Sequence, residues 1–167
     1  MAPVRSALAF SLILMLSSIT LCAEIASPKK AFSKLCSLVG NWEAKTERGT
    51  SIRINYRLIS GESVLVQTYT TASGRETLTV FHMDGAFLMA THYCAQGNQP
   101  RLRLVNSTEE RALTFLFFDA TDLPDSNASH LHRMIIDFLD LDHFLDIETY
   151  SSNGKDETEI LKFARVK

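Results

Sequence analysis

Three histidines, one arginine and one asparagine are the side chains with the clearest chemical potential in this sequence. His130 and His132 are two residues apart, as are Met134, Ile136 and Phe138 further along the same run. On an extended strand such residues share one face, so the alternation predicts both imidazoles pointing into an apolar interior. Neutral imidazole is a good zinc ligand, and His92 is a third candidate for a metal or haem site. The competing expectation is that buried histidines hydrogen-bond each other, a tyrosine or water. Asn98-Gln99-Pro100-Arg101 follows the permissive Gly97, and Pro100 fixes its own φ, which predicts a shaped turn ending in a guanidinium. Arg101 can receive a carboxylate or phosphate through two parallel hydrogen bonds, or it can be tied to Asp119 or Asp122 nearby. Tyr93 and His92 stand beside this turn. Both faces of the segment 86–94 are equally apolar, so the direction of His92 is open.

No recognised catalytic signature accompanies these groups. There is no G-x-S-x-G, no glycine-rich phosphate loop and no H-E-x-x-H. Asp119, Asp122 and Asp125 lack the spacing and distal Glu of a calcium loop. The pattern therefore favours a binding protein over an enzyme. Its cofactor, if it has one, is not specified.

These residues must be positioned by strands. From Trp42 onward the chain alternates with period two and is rich in Val, Ile, Thr, Phe and Tyr. Segments near 41–48, 51–59, 63–70, 75–83, 86–94, 101–106, 111–119, 130–140, 143–151 and 156–166 make about ten strands. Six of the seven glycines fall between them, and Asp84-Gly85 and Asn153-Gly154 are strong hairpin signals. Turns this close leave no space for crossover helices. The fold expected is all-β, an antiparallel up-and-down barrel, with a two-sheet sandwich as the alternative. One short helix precedes it: Ser27-Pro28 is a capped start, Ala31, Phe32, Leu35, Leu38 and Val39 form an apolar face, and Gly40 is the stop.

Residues 1–23 read as a cleaved signal peptide, with Arg5 ahead of the apolar run from Ala7 to Leu21 and a small residue at Ala23. The run is too short to span a membrane. Residues 24–167 then form one domain, secreted or periplasmic. Removing Arg5 takes the net charge from −2 to −3 and leaves no basic stripe, which argues against nucleic acid or an anionic membrane surface as partner. In an oxidising compartment Cys36 and Cys94 can form a disulfide or remain two thiols. Asn106-Ser107-Thr108 and Asn127-Ala128-Ser129 fit the glycosylation pattern by chance.

Leu38-Val39-Gly40-Asn41-Trp42, a Gly-x-Trp opening the first strand after a short helix, resembles the start of the calycins, which include lipocalins and fatty-acid-binding proteins. The resemblance implies that Trp42 plugs the closed end and that a basic residue of the last strand, here Arg165, packs across it. Thr91-His92-Tyr93-Cys94, Gly97-Asn98-Gln99-Pro100-Arg101 and the His130-x-His132 pair are similar to a family of uncharacterised exported bacterial proteins with lipocalin-like barrels. That likeness runs from about Phe32 to the C-terminus and implies fold and compartment, not an activity. Strand parity puts the loops near 49, 71–75, 95–100, 120–129 and 152–155 on one rim, the expected mouth. The expectation is an exported protein that holds a small, partly apolar ligand, with His92, Tyr93, Asn98, Arg101, His130 and His132 as ligand contacts. The alternatives are a metal or haem protein using His92, His130 and His132, and an envelope interaction module with a filled barrel.

Overall fold

A computed structural model describes residues 27–105 and 111–167. The leader, Cys22 and the Asn106 sequon lie outside the described residues. Helix α1 (Pro28–Cys36) is followed by β1 (Gly40–Lys45), β2 (Ser51–Ile59), β3 (Val64–Thr71), β4 (Glu76–Asp84), β5 (Phe87–Tyr93), β6 (Gln99–Leu104), β7 (Ala112–Thr121), β8 (His130–Phe138), β9 (His143–Ser152) and β10 (Lys155–Arg165). Each strand pairs antiparallel with its sequence neighbours, and β10 returns to β1 to close the barrel.

The hairpins form where the residue types demand them. Gly85 and Gly154 both adopt positive φ, as does Asn153, the conformation a two-residue turn requires. Pro100 lies inside β6 and not in a turn. Its partner there is Ala120 of β7, while pairing to β5 begins only at Arg101. A proline is tolerated where one side of the strand has no neighbour.

The closed end is built from α1 and the bases of the strands. Ser27 caps the helix by accepting from the Lys30 amide, and Ala31, Leu35 and Leu38 are buried. The helix ends at Cys36, and a turn of i→i+3 bonds carries the chain to Gly40. Trp42 is fully buried, its indole N–H donating to the Leu38 carbonyl at 2.7 Å. The Arg165 guanidinium lies over its ring, 4.1 Å from the centroid, and donates to the carbonyls of Ser37, Val39 and Leu141. Gly40 makes that approach possible: a Cβ there would sit 3.1 Å from Arg165 Nη1, and the φ of +129° is one that side chains rarely adopt. Above this plug, Tyr56, Phe144 and Phe163 stack in edge-on and parallel contacts, and Phe81 meets Phe115. The lower barrel is solid core.

The upper barrel is not. β1 and β10 pair at only two positions, Trp42 with Arg165 and Glu43 with Ala164, both near the closed end. Above them a slot of about 830 Å³ is lined by Lys45, Thr50 and Ile52 on one side and Glu157, Glu159 and Leu161 on the other.

One alternative left open by the sequence is decided here, and one expectation is corrected. Cys36 and Cys94 are free thiols, one at the end of α1 and the other just beyond β5 at the opposite end of the barrel. No disulfide can join them, because bridged cysteines need Cα atoms within about 7 Å. The correction concerns the face of His130 and His132. Leu131 pairs with Tyr150, and Arg133 with Thr149, so His132 is an extra, bulged residue. The bulge resets the alternation, and Leu131 takes the inward position in line with Met134 and Ile136.

Candidate functional site

Parity along β9 and β10 defines the inner wall of the mouth. Phe144, Asp146, Glu148 and Tyr150 share a face, and their β10 partners are Phe163, Leu161, Glu159 and Glu157. From the facing strands come Ile52 of β2, Tyr69 and Thr71 of β3, and Thr77 of β4. Together with Arg75, Cys94, Ala95, Gln96, Glu148, Tyr150 and Glu159 they enclose a cavity of about 370 Å³ open at the rim. Beneath it lies a recess of about 10 Å³ bounded by Tyr69, Asp146, Glu148, Glu159 and Leu161. That is room for roughly one water molecule.

The electrostatics follow from three carboxyls facing one another in low dielectric. Asp146 is buried, and burial, then Glu148 and Glu159, raise its pKa well above the usual carboxyl range. Gln67 opposes this weakly, donating to Asp146 Oδ2 at 3.5 Å while its main bond goes to the Tyr56 hydroxyl at 2.9 Å. Asp146 Oδ1 has no partner. Burial pushes Glu148 up to about 7, against the Tyr150 hydroxyl that donates to it at 3.3 Å. Burial and the same carboxylates raise Tyr69 and Tyr150, so both remain neutral phenols.

His92 belongs to this wall. Its Nδ1 is 3.0 Å from Thr79 Oγ1 and its Nε2 is 3.4 Å from the Tyr150 hydroxyl. Burial lowers its pKa to about 4, so the ring is neutral near pH 7. One proton arrangement satisfies every member: Thr79 donates to Nδ1, Nε2–H donates to Tyr150, and Tyr150 donates to Glu148. The histidine is thus a strut that aims a tyrosine at a carboxylate.

The other sequence candidates lie elsewhere. His130 is buried on the outer face, its Nδ1 2.8 Å from the Ala128 carbonyl, and His132 is exposed. Both pack on Phe117, with ring centroids 4.5 and 6.0 Å away, in a surface pocket closed by Leu123, Asp125 and Ser126. They do not meet His92. Among the described residues no group of three or more His, Cys, Asp or Glu is arranged to hold a metal ion, which removes the proposed three-histidine site. Arg101 is exposed and forms a two-pronged ion pair with Asp119 on the outer wall. Tyr93 is half exposed opposite Leu78, on the outward face of β5. Asn98 is buried at the rim, where its amide donates to the Ser129 carbonyl at 2.8 Å. That bond ties the loop 95–98 to the end of 122–129, so the two long loops flank one opening.

Sequence reasoning missed Asp146, Glu148 and Glu159. Acids alternating with Leu145 and Ile147 look like the solvent face of β9. The signal available was that Phe144 and Tyr150 sit on the acids' face.

No protein-family model matches the chain, and no curated protein matches it. Among solved structures, the crystal structure of Rv2717c from M. tuberculosis is similar to it, with a TM-score of 0.58 and 14% sequence identity over 82% of this chain and 98% of that one. At that identity the likeness shows the barrel fold alone. Among the described residues no helix is long and apolar enough to cross a membrane.

Proposed function

We propose that this protein is an exported, lipocalin-like barrel that binds a small, partly apolar ligand in its mouth. The observation that carries the reading is the 370 Å³ cavity, in which Ile52, Tyr69 and Tyr150 supply apolar and aromatic wall while Glu148, Glu159, Thr71 and Gln96 supply polar groups. Concave sites that combine apolar surface with a few converging polar groups are the usual form of a small-molecule site. The solid lower barrel is a floor for such a ligand. The slot between β1 and β10 shares Ile52, Thr71, Gln96, Tyr150 and Glu159 with the cavity and is a side entrance to it.

Native mass spectrometry of the protein purified from its own host tests both halves of this proposal. A mature mass that begins at Glu24, with a non-covalent adduct lost on denaturation, is the expected result. A chain retaining its leader and a barrel that is always empty would overturn it.

A further inference from the structure

The floor of the mouth cavity is lined by carboxyl groups, and one of their oxygens is unmatched. Asp146, Glu148 and Glu159 border the small recess between Tyr69 and Leu161. Asp146 is 4% exposed, and its Oδ1 has no hydrogen-bond partner. A buried carboxyl oxygen left unpaired is destabilising unless something donates to it. The groups that face it are Gln67, Tyr56 and Tyr69 from β2 and β3, Glu148 from its own strand and Glu159 from β10. His92 is committed to Thr79 and Tyr150. Among the described residues, Arg75 is the single cationic side chain lining the cavity, against the carboxyls of Glu148 and Glu159.

We propose that the mouth takes ligands carrying a positively charged amine, which enters nitrogen first and donates to Asp146 and Glu148 while its apolar body stays against Tyr69, Tyr150 and Ile52. This deepens the small-ligand reading and rests on it. An ammonium offers several N–H donors to a group of acceptor oxygens, and neutral aromatic faces attract the same charge. A bare metal ion fits less well, because the described acids, histidines and cysteines are not grouped as ligands. Binding is also linked to protons. With the Glu148 carboxyl held at about 7, part of it is protonated in the empty protein near neutral pH, and a bound cation favours the ionised form. Affinity therefore rises from pH 6 to pH 8, and protons are released on binding.

Titration calorimetry of the purified chain with hexylammonium, hexanol and hexanoate, three probes of one size and different charge, tests the assignment. Hexylammonium binding at least tenfold tighter than the other two, with proton release and with at least tenfold loss in Glu148→Gln and Asp146→Asn, is the expected result. If Asp146→Asn does not fold, Glu148→Gln alone decides, because that side chain lines the open cavity and is not packed into the solid core. Hexanol or hexanoate binding as tightly as the amine would overturn the charge assignment and leave the ligand-binding reading in place. Binding of none of the three would also overturn it. In that case the native mass spectrum of the host-purified protein decides whether the broader reading falls as well.

Discussion

The two ends of this barrel treat polar groups in opposite ways. At the closed end, the Trp42 indole N–H has its carbonyl and the Arg165 guanidinium donates to three carbonyls while covering the ring. At the mouth, Asp146 keeps an oxygen without a donor, three carboxyls face one another, and the first and last strands are unpaired. Stability is concentrated where every group is matched, and a binding site is expected where groups are left unmatched. The contrast can be broken by substitutions at each end.

The largest effect is expected at the plug. Trp42→Ala should cost about 3–5 kcal/mol, read from the midpoint of urea unfolding, while Tyr69→Ala at the mouth should cost clearly less. Equal losses would mean that the mouth is as much a part of the core as the plug. Arg165→Ala should cost about 2–3 kcal/mol through lost charged hydrogen bonds and ring contact. Arg165→Lys should recover only part of this, since one ammonium cannot span three carbonyls as a planar fork does.

The next effect is in the pH dependence of stability. Glu148 has a raised folded pKa, so between about 4.5 and 7 the native state holds a proton that the unfolded state has lost, and stability falls as pH rises. Asp146, also raised, adds to that fall. His92 works in the opposite sense. Its folded pKa of about 4 means that between about 4 and 6.5 only the unfolded state is protonated, so stability rises with pH. Each slope is at most about 1.4 kcal/mol per pH unit. Glu148→Gln should therefore flatten the fall, because Asp146 and His92 then oppose each other, and His92→Gln should steepen it, as followed by thermal unfolding from pH 4 to 8. Unchanged profiles in both variants would show that neither group is desolvated in solution.

The smallest effect is expected outside. His132→Ala should change stability by no more than about 0.5 kcal/mol and leave occupancy of the mouth unaltered, because the side chain stands exposed on the outer wall. A measurable loss of hexylammonium binding in this variant, by the same calorimetry, would return the histidine pair to the site.

The barrel was legible because its signals are local. Period-two alternation marked the strands, and residues such as Gly85 and Gly154 marked tight turns. The contact of Arg165 with Trp42 was expected from a resemblance, since nothing in the alternation links residues so far apart in sequence. The site was mostly illegible for one geometric reason. His130, Met134, Ile136 and Phe138 keep a regular spacing in sequence, yet one bulged residue at His132 puts His130 and Ile136 on opposite faces. A bulge does not disturb composition. On β9 the difficulty was reversed: its acids point inward, and Leu145 and Ile147 occupy the other face. Of the six expected contacts, His92 lines the interior and Asn98 holds the rim, while Tyr93, Arg101, His130 and His132 are on the outer wall.

The seam between β1 and β10 has one more consequence. Because only two residue pairs close it, the upper half of β10 presents backbone amides and carbonyls with no neighbouring strand on that side. Such a margin is a template on which another chain can add as an extra strand. Here the margin carries Lys155, Asp156, Glu157, Glu159 and Lys162, a charge at nearly every step. An incoming apolar strand would have to strip water from that row of charges, so this gap is a poor landing place for a polypeptide.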